Sequence, residues 1–300
     1  MKIIECVPNF SEGRDQKIID EIAEAFKARP RTCLADYSSD PDHNRSVFTF
    51  LGEPDNVREA ALAAAGKALE LIDMRKQRGA HPRLGAVDVV PFIPLAEAQM
   101  KDAVNTAHEF GRLFYKRFRV PVYFYGAAAL RASRLNLPDV RRGGYEGLSA
   151  KMACNEGLPD LGAADFPARA GAAIVGAREI LVAFNINLAG GDVALAQKIA
   201  AHIRGGNSGL KGVRAIGVPL ASRSLAQVSV NLTNCRETSL KDIYDEVKKL
   251  AEENSVEILE SELIGLAPTR AFAGATPEYL KLRDFNQNRL IETHLKKFTG

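Results

Sequence analysis

The chain has 300 residues and is 46% hydrophobic, which is enough apolar content for a sizeable core and a length suited to about two domains. Its 40 basic and 37 acidic residues leave a net charge of +3, too even a balance for a nucleic-acid or anionic-membrane footprint, although small anions are not excluded. The opening Met1 to Cys6 is acidic by its fifth residue and no apolar stretch reaches the length of a membrane span, so neither export nor membrane insertion is expected. Four cysteines, at 6, 33, 154 and 235, have no C-x-x-C spacing and lie mostly in apolar surroundings, as do the reduced core thiols of a cytoplasmic protein. Cys6 sits in an expected strand without a basic neighbour, which favours packing over nucleophilic chemistry.

In chain order, periodicity predicts a strand from Lys2 to Val7 and an amphipathic helix from Gln16 to Ala28 with Asp15 as its N-cap. Thr32 to Tyr37 and Arg45 to Leu51 flank the turn-rich 38–44 segment and are expected to pair as a hairpin. Pro54 and Asp55 open an Ala-rich helix reaching about Ile72, and Val87 to Phe92 is the next strand, giving the order βαββαβ. Residues 95–118 read as a helix and Val122 to Tyr125 as a further strand. Leu137 to Gly171, rich in Gly, Pro and Ala, reads as a long binding loop between domains.

From about Arg178 the order recurs: strand 179–188, helix 193–204, strands 212–218 and 226–232, helix 240–253 with Ser239 and Asp242 as a capping box, and strand 256–264. Thr276 and Pro277 are expected to open a terminal helix ending near Phe298. The doubled order predicts an α+β protein of two tandem ferredoxin-like subdomains, 1–177 and 178–300. The duplication rests on element order, since sequence identity between the halves is not evident.

The chemistry concentrates at residues 78–92, Arg-Gly-Ala-His-Pro-Arg-Leu-Gly-Ala-Val-Asp-Val-Val-Pro-Phe. Pro82 confines His81 to extended geometry, Gly79 and Gly85 allow close approach of the backbone or positive φ, and the following strand anchors the loop. His43, His108, His202 and His294 fall in a turn or in helical patterns, and none has a second histidine at i, i+4, which argues against zinc and leaves His81 as a general acid/base. Asp88 either supports the imidazole or caps the strand start.

In the second unit, Asn185 and Asn187 share one side of a strand, as do Gln227, Ser229, Asn231 and Thr233, so that sheet face reads as polar but uncharged. Such a face is either simply solvated or reads a heterocycle through its amides. Two open faces turned toward each other would make a cleft between the subdomains, a common place for ligands.

Taken together, Cys-Val-Pro-Asn-Phe-Ser-Glu-Gly at 6–13, Gly79 to Phe92, Pro121-Val-Tyr-Phe-Tyr-Gly126 and Gly176-Ala-Arg-Glu-Ile-Leu-Val-Ala-Phe-Asn-Ile-Asn187 closely resemble the formiminotransferase domain family, in the right order from residue 1 to about 270. The resemblance implies a duplicated ferredoxin-like fold, a homodimer, and tetrahydrofolate as co-substrate in a tunnel between the subdomains. It also implies a transferase without the cyclodeaminase that follows in bifunctional members. The family's catalytic histidine falls on His81, in a motif also matched by Pro82, Arg83, Gly85, Asp88, Pro91 and Phe92. The folate-contacting stretch falls on Gly162, Ala163, Ala164, Asp165, Phe166, Pro167, Ala168, Arg169, Ala170 and Gly171, with Phe166, Pro167 and Gly171 the best fits to the family pattern.

The implied reaction moves a formimino group from N-formimino-L-glutamate to N5 of tetrahydrofolate, and one group serving first as base and then as acid suffices for it. Both substrates carry glutamate carboxylates, so guanidinium donors are expected among Arg45, Arg83, Arg142, Arg169 and Arg178. A formyl donor, 5-formyltetrahydrofolate, would suit the same histidine. Two non-catalytic readings also share the topology: an amino-acid sensor and an RNA-binding module. The latter lacks the Lys/Arg-Gly-Phe/Tyr-Gly opening, and Phe48 and Phe50 are expected in the core beneath the helices.

Overall fold

The computed structural model describes residues 1–27, 31–79, 81–163, 165–205 and 209–298. The chain forms two compact units that meet at Arg178 and Glu179, an α+β arrangement with one sheet in each.

The first unit runs β1 (Lys2–Cys6), β2 (Asn9–Phe10), α1 (Gln16–Lys27), β3 (Thr32–Asp40), β4 (Arg45–Gly52), α2 (Pro54–Leu71), β5 (Val87–Ala96), α3 (Met100–Phe118), β6 (Val122–Gly126), α4 (Leu137–Arg141), α5 (Leu148–Met152) and β7 (Ala173–Ala177). β1 and β2 act as one broken central strand, both pairing antiparallel with β4 and β5. β3 completes the expected hairpin with β4 at the edge. Asp15 caps α1 by accepting from the Lys17 and Ile18 backbone N–H groups at 3.0 and 3.4 Å.

Side-chain alternation divides this sheet into two faces. Phe10, Phe48, Phe50, Val90, Phe92 and Val175 point to the side covered by α1, α2 and α3, where Phe26, Phe110 and Phe114 complete a packed aromatic core. Phe48 and Phe50 therefore lie under the helices, as the sequence predicts. On the other face, Val89, Ile174, Tyr123 and Tyr125 pack with Leu148 and Met152 from α5. β5 is thus covered on both sides, which accounts for its nearly unbroken apolar sequence.

Three differences from the sequence reading have clear causes. β7 lies between β5 and β6, parallel to both; five consecutive buried residues with no alternation left it unmarked as a strand. β5 continues to Ala96, so the next helix begins at Met100 rather than 95, where a Gln99/Asp102 capping box sets its start. The 137–171 segment contains the two short helices α4 and α5.

The second unit runs β8 (Val182–Leu188), α6 (Val193–Ile203), β9 (Val213–Leu220), β10 (Leu225–Leu232), α7 (Leu240–Glu253), β11 (Ile258–Ile264) and α8 (Ile291–Leu295), with strand order β11-β8-β10-β9 and antiparallel pairing throughout. Phe184, Ile186, Val228 and Val230 face Ile199, Ile203, Ile243 and Val247 of α6 and α7. Ser239 and Asp242 form the expected capping box.

The expected long terminal helix is not there: positive φ at Lys281 and Asp284 breaks helical propagation, and only α8 is α-helical in 276–298. The chain instead runs beside β11, with Ser261 N–H donating to Lys281 C=O at 2.8 Å and Arg283 N–H to Ser261 C=O at 2.9 Å, and so covers an otherwise open sheet edge. Among the described residues, no helix is long and apolar enough to cross a membrane.

Candidate active site

His81 stands where three backbone segments meet. Ser11 donates through Oγ to Gly85 C=O at 2.8 Å, and its N–H reaches Ala86 C=O at 3.1 Å. Asn44 accepts from Gly13 N–H at 3.0 Å and donates to Arg78 C=O at 3.1 Å and to Gln77 Oε1. Gln77 in turn donates to Glu12 at 2.8 Å. These bonds tie the 11–13, 43–45 and 77–86 segments into one frame. Gly79 is required there because a Cβ would lie 2.2 Å from His43 C=O, so its smallness serves chain-on-chain packing, not positive φ.

Arg45 Nη1 lies 2.6 Å from His81 Nε2. A guanidinium has only donors, so Nε2 must be the acceptor and the neutral ring carries its proton on Nδ1. The ring is also hydrogen-bonded to the Pro82 backbone, whereas Nε of Arg45 and Nε of Arg141 are buried and without a partner. Burial first, then the charges of Arg45, Arg141 and His43, hold His81 far below its ordinary 6.5, at about 2. The His43 ring lies 5.9 Å from it. Arg45 is itself lowered to about 10 by burial and by the Arg141 charge, with Asp88 and Asp40 opposing.

Asp88 does not bond the imidazole directly. One of its oxygens accepts from Leu84 N–H at 2.9 Å and the other from Arg141 Nη2, so it fixes the loop and holds Arg141, whose charge in turn reaches His81. Arg83 is tied to Gln77 C=O at 3.0 Å and Glu146 at 2.8 Å. Arg142 is exposed and pairs with Asp139 at 2.7 Å, away from the cluster. Arg178 hydrogen-bonds Tyr125 and faces Glu5, whose buried carboxyl is raised from 4.5 to about 7 by burial and only partly restored by Arg178. The sequence reading passed over Arg141, Glu5 and Glu146, because nothing in local spacing tells which arginine of the 141–142 pair turns inward.

The 162–171 stretch lies against this frame. Ala86 N–H donates to Ala170 C=O at 2.9 Å, Ala172 N–H to Leu84 C=O at 3.1 Å, and Met74 N–H to Arg169 C=O at 2.9 Å. Arg169 reaches Glu70 C=O at 2.7 Å and Asp73 at 3.8 Å. Tyr145 donates to Ala168 C=O at 2.5 Å, with its ring 5.4 Å from Phe166. Ala163 and Asp165 are exposed, and Ala164 lies outside the described residues. Gly162, at φ +114°, passes Pro121 and Tyr115.

In the second unit, Gln227 donates to Asn187 Oδ1 at 2.8 Å, Asn187 to Glu260 at 2.8 Å, and Asn185 to Glu262 at 3.2 Å. Asn231 is exposed opposite Ala183 and Arg214. The face read as uncharged therefore carries Glu260 and Glu262, balanced by Arg223 and Arg283. A strand register, invisible locally, brings β11's acidic side beside the amides. Cys154 also departs from expectation in being exposed.

A neutral imidazole beside buried, unpaired guanidinium N–H groups has the chemistry to take and return a proton and to meet an anion. The chain belongs to the formiminotransferase domain family: residues 3–178 match the family's N-terminal subdomain and residues 183–297 the formiminotransferase domain. It is 41% identical over 98% of its length to a glutamate formimidoyltransferase of Streptococcus pyogenes serotype M1, covering 99% of that protein. A Thermoplasma acidophilum protein of the same name is 37% identical, with 99% of this chain and 98% of the relative covered. The formimidoyltransferase-cyclodeaminase of Rattus norvegicus is 43% identical, and the chain spans 52% of its length.

Proposed function

We propose that the chain is a glutamate formimidoyltransferase, transferring the formimino group of N-formimino-L-glutamate to N5 of tetrahydrofolate and releasing glutamate. Near end-to-end similarity to a protein of that name carries the reading. Tetrahydrofolate is the co-substrate, and the 162–171 stretch beside the His81 loop is its binding segment. The first subdomain, 1–177, supplies the histidine, and 178–300 forms the second; their βαββαβ orders and the β11-β8-β10-β9 arrangement support a ferredoxin-like fold for each. A cytoplasmic homodimer accords with the family resemblance.

N5 attacks the formimino carbon and gives up its proton as the new C–N bond forms. His81 takes that proton at Nε2 and returns it to the departing glutamate nitrogen as the old C–N bond breaks. Nε2 is the ring atom suited to this, because it holds the lone pair. Arg45 occupies that lone pair, so Arg45 must yield before the base can act.

His81→Ala is expected to fold normally and to lose about a hundredfold to ten-thousandfold in kcat with formiminoglutamate and tetrahydrofolate. Turnover within a few-fold of the parent would reject His81 as the base. Assaying the parent with formiminoglutamate and, side by side, with 5-formyltetrahydrofolate plus glutamate tests the reaction itself; formyl transfer without formimino transfer would overturn the reading.

A further inference from the structure

The His81 cluster holds two buried guanidinium N–H groups with nothing to bond, Arg45 Nε and Arg141 Nε, while the His81 ring is hydrogen-bonded to the Pro82 backbone. Both are donors, and a buried donor left unpaired is destabilising, so the cluster is built to be completed by an acceptor. Asp88 does not fill that role, since its two oxygens are taken by Leu84 N–H and Arg141 Nη2. Asp88 instead holds the Arg141 guanidinium by one edge while Nε stays unpaired.

We propose that Arg45 and Arg141 form an anion subsite that takes the α-carboxylate of the donor's glutamyl group, and that its arrival draws Arg45 off Nε2 of His81 and frees the base. The inference rests on the proposed reaction and adds to it which end of the donor is held, by which residues, and how binding is coupled to chemistry. Covalent geometry selects the α-carboxylate. In N-formimino-glutamate it is bonded to the carbon that bears the reacting nitrogen, whereas the γ-carboxylate is three carbons further along the side chain. A base that serves that nitrogen, with one guanidinium against its ring and a second near enough for its charge to act on it, has the α-carboxylate within reach at the same time. Arg45, 2.6 Å from the ring, is already at that position.

The same arrangement explains why the ring is so weakly basic without ligand. Burial and two nearby guanidiniums disfavour an imidazolium. A carboxylate placed between them supplies the missing negative charge and restores basicity when substrate is present. The carboxylate thus acts as handle and trigger, and free protein keeps its base capped.

Donors amidated at one carboxylate provide the test: N-formimino-L-isoglutamine lacks the α charge and N-formimino-L-glutamine lacks the γ charge. The unsubstituted protein is expected to turn over the α-amide about a hundredfold less efficiently in kcat/KM than the parent donor. In Arg45→Gln and Arg141→Met that ratio should collapse to within a few-fold, with the γ-amide ratio and the KM for tetrahydrofolate unchanged, and Arg141→Lys should restore part of it. If Arg141→Met fails to fold because it strands Asp88, the Arg45→Gln ratio decides alone. An α-amide ratio that stays at its parent value in Arg45→Gln overturns the subsite. Failure of the reaction reading is separately visible as no formimino transfer by the unsubstituted protein. In that case, binding of L-glutamate against L-isoglutamine by saturation-transfer NMR makes the same comparison, and equal binding of the two overturns the subsite.

Discussion

Glu5 shows how burial turns an ordinary side chain into a pH-dependent one. It lies in β1 opposite Leu51 and Ile93, only 4% exposed, and its carboxyl is raised from 4.5 to about 7. For an acid whose folded value is raised, the associated stability is fully present below about pH 4.5 and is lost as pH climbs through about 7. At about 1.4 kcal/mol per pH unit, the ionised carboxylate costs roughly 3 kcal/mol at pH 8. Glu5→Gln should therefore gain roughly that much relative to the parent between pH 4 and pH 8 in urea unfolding; a difference that does not change with pH would show that Arg178 fully compensates the charge. His81 shifts the other way. Its folded value lies near 2, so protonation of free protein should not produce an acid limb near pH 6.5 in kcat/KM, the parameter that reports the unliganded enzyme. A limb at 6.5 assigned to His81 by mutation would contradict the buried, cation-ringed setting. The sequence singled out His81 by its stiff flanks, but its electrostatic setting comes from Arg45 and Arg141, 36 and 60 positions away along the chain.

At the level of elements, the meeting of the His81 loop with the 162–171 stretch depends on two facing glycines. Gly85 and Gly171 form an isolated antiparallel bridge, and a Cβ on Gly171 would stand 2.1 Å from Leu84 C=O, at a φ of +69°. Gly143, at φ +88°, has its nearest atom 3.8 Å away. Gly143→Ala should thus cost only the left-handed strain of about 1–2 kcal/mol. Gly171→Ala should cost clearly more, because backbone must also move, and should raise the KM for tetrahydrofolate. Thermal melts compare the two, and equal shifts would mean the bridge relaxes freely. The regular elements with strong periodicity, α1, α2, α7 and the β3/β4 hairpin, were legible in the sequence because their apolar spacing matches their geometry. β7 was not, because a strand buried on both faces has no alternation to read. The absent terminal helix has the opposite cause: 276–298 has helix-compatible residues, but bonding to β11 and two left-handed residues, Lys281 and Asp284, outweigh local propensity.

For the whole molecule, each unit encloses its own hydrophobic core, one built on Phe10, Phe48, Phe50 and Phe92 and the other on Phe184, Ile186, Val228 and Val247. A fragment spanning 179–298 is therefore expected to fold and melt cooperatively, whereas loss of structure in the isolated fragment would show that its core is not self-sufficient. The sequence by itself determined the βαββαβ order that opens each unit, the repetition of that order and the family, and it drew attention to His81, since these depend on spacing and on motifs a few residues long. Tertiary structure decided which arginine stands beside that histidine, which carboxylates share a face with Asn185, Asn187 and Gln227, and which bonds Asp88 makes. Those outcomes follow from strand register and loop packing, which bring together residues dozens of positions apart, and no local pattern records them.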